Sequence, residues 1–254
     1  MKIGLIASAY NCAEFLEECL EPWELLKEGN DHELYCSFIH NCFTENEELG
    51  LSLDSSDSTS EILEDKYNNG FLDYYNFSTK YLKEADARNV CLRNVLQDDV
   101  DYVWTLGLDE VYTLEEIKMI LNFVKINPLV DWFKVNYKNY VFDGDAWVDG
   151  FCPPRIFKVN CHGGLKELYY DDDFVYADGT DYKKLSNLEI PASIAHVKHM
   201  TWLHTNGKAK VEYQKLRWGD TGCSYSWNYS ENKLEFNQDF YDKIKQPLPN
   251  LNYD

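Results

Sequence analysis

Two sets of side chains have the types and placement to do chemistry. The first is Asp109-Glu110, which follows the short apolar run Tyr102 to Leu106 and then Gly107-Leu108. A carboxylate just past the end of a parallel strand projects where open α/β sheets take their ligands. Its hard oxygens suit Mg2+ or Mn2+. The same pair also precedes Thr113, which opens a helix with Glu116 three residues on, and acidic groups favour that end of the helix dipole. The second set is His196, His199 and His204. On a strand, His196 and His199 face opposite ways while His196 and His204 share a face. Each is equally at home as a structural histidine. The eight cysteines (12, 19, 36, 42, 91, 152, 161 and 223) contain no C-x-x-C. They read as small buried hydrophobes in a reducing compartment, with Cys161-His162 a lone neighbouring pair.

These groups need a frame, and the hydrophobic pattern supplies one. Lys2 to Tyr10 is a near-continuous apolar strand of the kind buried on both faces of a parallel sheet. Asn11 is placed to cap the helix that follows, in which Phe15, Leu16, Cys19, Leu20 and Trp23 recur at helical spacing. Leu34 to Ile39 is a second strand and Phe71 to Phe77 a third. The polar stretch Asn41 to Ser60 lies between them, and Glu61 to Tyr67 is a helix. Lys83 to Leu96 is a helix before the strand Tyr102 to Leu106. Beyond the helix that ends at Val124, Trp132 to Phe142 and Arg155 to Asn160 alternate like antiparallel strands among dense aromatics. His196 to Leu203 is strand-like, and a helix runs from about Lys208 to Trp218. The expectation is an α/β chain with a Rossmann-like, mostly parallel sheet and helices on both faces, joined to an aromatic-rich mixed or antiparallel half. Residues 1–125 form one half and 126–254 the other, continuous as one domain.

Three segments, 6–20, 87–89 and 104–110, together resemble family 2 glycosyltransferases of the GT-A fold, and two further runs are similar to other family motifs. Ile6-Ala7-Ser8-Ala9-Tyr10-Asn11 with Phe15-Leu16-Glu17-Glu18-Cys19-Leu20 is similar to the family opening P-x-Y-N-E…I-x-x-C-L. Asp54-Ser55-Ser56-Asp57-Ser58-Thr59 is a looser match to D-D-G-S-T-D, and Ala87-Arg88-Asn89 matches A-R-N. Trp104-Thr105-Leu106-Gly107-Leu108-Asp109-Glu110 resembles L-D-A-D-E, and Arg155-Ile156-Phe157-Lys158 resembles R-L-F-R.

The resemblance implies inverting transfer of a sugar from a nucleoside-diphosphate sugar to a hydroxyl acceptor such as a glycan, with Mn2+ or Mg2+ as cofactor. Asp109 matches the metal-binding acid of D-x-D. Gly107 stands where the family has its first acid, and Glu110 is the substitute at hand. A histidine of the second half often completes the metal site, which puts His196 first and His199 next. Tyr10 would stack on the donor base, with Asn11, Asp54 and Asp57 beside base or ribose. Asn11 is equally a cap and the 54–59 run an Asx-rich turn. Arg88 offers a planar fork to the nucleotide, and Arg155 is placed for phosphate or acceptor, or for an internal pair. Inverting transfer needs a base for the acceptor hydroxyl. The candidates are Asp145, Asp149, Glu167 and Asp171-Asp172-Asp173. Asp149, in Trp147-Val148-Asp149-Gly150-Phe151, is favoured because its aromatic neighbours suit sugar faces, and the triple run reads as a solvated turn.

Gly107 also supports a second reading, a non-catalytic carbohydrate- or partner-binding module on the same fold. A sugar nucleotidyltransferase would want a Gly-rich basic loop after the first strand, and Ser8 to Cys12 has neither Gly nor a basic residue. The chain contains no G-x-S-x-G, Walker or G-x-G-x-x-G pattern. The net charge of −20, from 44 acidic and 24 basic residues, argues against nucleic acid or an anionic membrane as partner. With 44% hydrophobic and 27% charged residues the chain can build a core, so disorder is excluded. No run of 18 apolar residues exists to span a bilayer. Lys2, Ile3 to Ile6 and Ala7-Ser8-Ala9 imitate a signal peptide, but the apolar stretch is too short for one, which predicts a cytoplasmic protein.

Overall fold

The computed structural model describes residues 1–236, except 30–31, 142–145, 171–172, 202, 204–206, 219–224, 229 and 232. Asp145, Asp171, Asp172, His204 and Cys223 therefore lie outside the described residues. In chain order the first half holds β1 (Lys2–Ala9), α1 (Ala13–Glu28), β2 (Glu33–His40), α2 (Thr44–Glu48), α3 (Thr59–Asn68), β3 (Tyr74–Phe77), α4 (Glu84–Val95), β4 (Tyr102–Thr105), β5 (Glu110–Val111) and α5 (Leu114–Ile126). There follow β6 (Trp132–Lys134), β7 (Tyr137–Val141), β8 (Ala146–Phe151), β9 (Pro154–Lys158), β10 (Leu165–Tyr170), β11 (Asp173–Tyr176), β12 (Asn187–Glu189) and β13 (Val197–His199). The last described elements are α6 (Gly207–Trp218), β14 (Tyr225–Asn228) and β15 (Lys233–Phe236).

The main sheet has seven strands in the order β12-β6-β9-β4-β1-β2-β3. β1, β2, β3 and β4 run parallel, and β9 runs against both β4 and β6. Strands from beyond residue 126 thus complete the sheet begun by β1. Side chains alternate across it. Ile3, Leu5, Ala7 and Ala9 of β1 pack with α1 and α5 on one face. Ile6 packs with α4 and the β10–β11 hairpin on the other. Trp23, Trp104 and Tyr112 meet edge to face on the first side, with ring centroids 4.8 to 5.8 Å apart. The fold class expected from the sequence is the one observed: α/β, with a mostly parallel central sheet and helices on both faces.

The run expected as one strand from Trp132 to Phe142 divides. β6 joins the main sheet, and β7 turns away into a four-stranded sheet of order β5-β13-β7-β8. This second sheet brings β13 and β8 to the carboxyl end of β4. Of the described residues in the strand-like run His196 to Leu203, Val197–His199 pair as a strand, parallel to β7 and antiparallel to β5. Thr113 and Glu116 form the expected capping box at α5.

Asn11 does not cap α1. The cap position is Cys12, whose side chain makes no cap bond, and Asn11 adopts a left-handed backbone with φ of 47°. The N–H groups at the start of α1 are met by the first residue of α3 and the loop before it. Thr59 Oγ1 accepts from Cys12 N at 2.8 Å and Asp57 Oδ2 from Ala13 N at 3.0 Å. Asp57 Oδ1 also takes Thr59 N at 3.0 Å. One carboxylate therefore serves the first turns of two helices, where its charge suits both dipoles.

Candidate active site

β1, β2 and β4 are parallel and so end on one side of the sheet, where the β1–α1 turn is bonded to the 51–59 loop. Asn11 Oδ1 accepts Ser56 N at 2.7 Å, and Ser55 Oγ accepts Asn11 N at 3.0 Å. Tyr10 donates its hydroxyl to Ser52 O at 2.7 Å and keeps its ring half-buried beside His40. His40 stacks on Phe77 with centroids 4.8 Å apart, and its Nε2 lies 2.8 Å from Ser55 Oγ. Burial lowers the His40 pKa despite the opposing pull of Asp54, Asp57 and Glu61. Asp54 stays exposed at the mouth. Tyr10, Asn11, Asp54 and Asp57 are thus gathered in one loop cluster, but Asn11 and Asp57 spend their polar atoms on holding it.

Asp109 stands past the end of β4 with its side chain 18% exposed. Its Oδ1 lies 3.7 Å from His199 Nε2, and Lys210 Nζ of α6 lies 3.7 Å from Oδ2. The tautomer of His199 follows from its neighbours. Asn139 donates Nδ2 to Val148 O at 3.2 Å, which turns its Oδ1 to His199 Nδ1 at 2.6 Å. Nδ1 must then carry the proton, and Nε2 presents a lone pair towards Asp109. Burial lowers the His199 pKa, against the opposing pull of Asp109 and Glu110. One carboxylate and one oriented imidazole, whose second nitrogen is held by an amide carbonyl, make a donor set that fits a Mn2+- or Mg2+-sized ion completed by phosphate oxygens.

Glu110 and Arg155 are turned inward and hold each other. Glu110 is 1% exposed. It accepts Arg155 Nη2 at 2.8 Å, Arg155 Nε at 3.0 and 3.2 Å, Tyr112 Oη at 3.0 Å and Gly107 N at 3.0 Å. Arg155 lies over the Tyr137 ring, 5.4 Å from its centroid. A buried carboxylate with these partners is not at the cleft to meet a cation, nor is its arginine there to meet a phosphate. The arrangement also explains Gly107. A Cβ there would come within 2.3 Å of Glu110 Oε1 and 3.0 Å of Asp109 Oδ1. The space of the missing first acid is filled by the carboxylate of Glu110.

The histidines exchange the expected order. His199, not His196, faces Asp109. His196 precedes β13, gives its backbone N–H to Glu116 Oε1 at 3.2 Å, and sets Nε2 3.1 Å from Asp149 Oδ1. Asp149 sits where β8 carries an extra residue against β7, between the Val148–Asn139 and Phe151–Tyr137 pairs. Such a bulge re-aims side chains. Arg88 is buried against Glu84, Nη2 to Oε1 at 2.7 Å, rather than at the surface, and Glu84 also binds Arg217 of α6. Burial raises the Glu84 pKa, but Arg88, Arg217 and Lys210 outweigh it and the net shift is downward. Glu167 is exposed on β10 beside Lys166, and Asp173 is tied to Lys183 at 2.6 Å and Tyr182 at 2.6 Å.

Lys210 and Arg217 were not singled out from the sequence. The available signal was charge: Lys208, Lys210, Lys215 and Arg217 make α6 basic in a chain of net charge −20.

No family profile and no curated protein matches the sequence. Solved structures do. Residues 1–349 of Staphylococcus aureus TarS match with a TM-score of 0.50 and 14% identity over 91% of this chain and 77% of that one. The fold is GT-A-like. The same TarS fragment in complex with UDP gives 20% identity and a TM-score of 0.39 over 55% of this chain. Its complex with UDP-GlcNAc gives 21% identity, 0.39 and 55%. This chain spans 36% and 35% of those two. Among the described residues no helix is long and apolar enough to cross a membrane.

Proposed function

We propose that the chain is an inverting glycosyltransferase of the family 2 kind, moving a sugar from a nucleoside-diphosphate sugar to a hydroxyl acceptor, a glycan by preference. The observation that carries this reading is Asp109 at the end of β4, facing the bare Nε2 of His199 at 3.7 Å on a GT-A-like sheet. Asp109 and His199 would hold Mn2+ or Mg2+. Bound there, the ion supplies positive charge to the diphosphate as it leaves.

The chain's own groups divide the rest of the work. Lys210, beside Asp109, adds a fixed positive charge where the leaving group gathers negative charge. The half-buried Tyr10 ring offers a face for the donor base. Asp149 takes the proton of the acceptor hydroxyl, and His196 at 3.1 Å holds it in place. Aromatic Trp147 and Phe151 beside it suit a sugar face.

The second reading, a binding module without turnover, is favoured by one observation. Gly107 contributes no carboxylate, and Lys210 already lies 3.7 Å from Asp109. Mn2+-dependent release of UDP from UDP-sugars, starting with UDP-GlcNAc because TarS holds it, separates the two. Turnover that Asp109→Ala abolishes, with Tm nearly unchanged, supports transfer. Nucleotide binding without any release supports the module.

A further inference from the structure

At the opposite end of the central strands, where β4 begins and β9 ends, Asp131, Cys161 and His162 converge. A carboxylate oxygen, the thiol sulfur and a ring nitrogen all lie within 4.8 Å of one another. Three separate constraints hold them. Asp131 precedes β6 and keeps Oδ2 on Ser186, from Oγ at 2.6 Å and N at 3.1 Å, and its carboxylate is also hydrogen-bonded by the Cys161 thiol. Cys161 and His162 sit in the tight turn after β9, closed by Gly164 N to Cys161 O at 2.8 Å. His162 has Asp178 Oδ2 3.5 Å from its Nδ1, a carboxylate beside the ring of the kind metal-bound imidazoles keep. His162 occupies a left-handed backbone with φ of 50°, a region that asparagine, aspartate and histidine adopt more readily than other side chains.

We propose that Asp131, Cys161 and His162 form a Zn2+ site remote from Asp109. One thiolate, one imidazole and one carboxylate are a three-ligand zinc set, with a fourth place for water. The ion would pin the start of β6 to the turn after β9. Binding releases the thiol proton to solvent, since the thiolate is the ligand.

Titration of the chelator-treated full chain with Co2+ tests this. The expected result is a sulfur-to-cobalt charge-transfer band that saturates at one ion and is lost in both Cys161→Ser and His162→Asn. Asparagine tolerates the left-handed backbone, so His162→Asn removes the ligand without straining the turn. Co2+ at Asp109 and His199 has no sulfur ligand, so it contributes nothing to this band. Zn2+ at a hundredfold excess over its Kd should raise the wild-type Tm by about 5 °C more than that of either variant. Absence of the band, its persistence in either variant, or equal Zn2+ shifts in all three proteins would overturn the site.

Discussion

The Asp109 carboxylate keeps 18% of its side-chain surface at the cleft, with an imidazole and an ammonium each 3.7 Å away. Glu110, one residue on, keeps 1% and is bound by Arg155, Tyr112 and the Gly107 amide. Two adjacent acids at the end of β4 thus face opposite worlds. The inner one is an architectural ion that ties β5 to β9, and its geometry decides what the outer one can be. Because Glu110 fills the space beside Gly107, Asp109 is left as the one acid of the D-x-D-like stretch at the cleft. Proximity in sequence says little about role when successive side chains point to opposite sides.

Breaking the inner pair should have the largest effect. Arg155→Met leaves a buried carboxylate uncompensated and should cost about 3–5 kcal/mol in denaturant unfolding. Adding Glu110→Gln should recover much of that loss, and failure to do so would detach Arg155 from Glu110. Next comes Gly107→Asp, which restores the motif's first acid on paper. With Glu110 pinned by its partners, the new side chain has no room, and a loss of about 1–3 kcal/mol is expected. A neutral result would mean that Glu110 does not lie over Gly107.

Asp57→Ala removes acceptors from the first turns of α1 and α3 and should cost about 1–2 kcal/mol by thermal or denaturant melting. A smaller effect follows from His40. Its folded pKa is lowered by burial, so the unfolded chain takes the proton first. Its contribution is complete above the unfolded value of about 6.5 and is lost as pH falls below it. His40→Asn should make the loss of stability between pH 7 and pH 5 shallower than in wild type. Smallest of all is the stability effect of Asp109→Ala, within about 0.5 kcal/mol, since this carboxylate keeps access to water and stands 3.7 Å from both His199 and Lys210. A large loss there would reassign Asp109 to the architecture.

The local features were legible. The β1–α1 unit, the helix of Lys83 to Leu96 and the Thr113 capping box depend on residues a few positions apart, and hydrophobic spacing or turn chemistry reveals them. Asn11 shows where this stops. It has the right type and place for a cap, but Asp57 and Thr59, some 45 residues away, take the task. The candidate site was legible as a list of residues and not as a set of partners. His196 and His199 were read as facing opposite ways on one strand, but His196 precedes β13, and which of them meets Asp109 depends on how β13 inserts between β5 and β7.

By itself the sequence determined that this chain builds an α/β sheet with an acid at the end of its fourth strand. Apolar periodicity and strand-end position are properties of neighbouring residues. Tertiary structure alone decided that Glu110 belongs to Arg155, that Asp109 belongs to His199 and Lys210, and that Asp149 belongs to His196. Each of those pairs joins elements whose approach is set by sheet order, and burial then selects which charges must find a partner and which remain at the cleft.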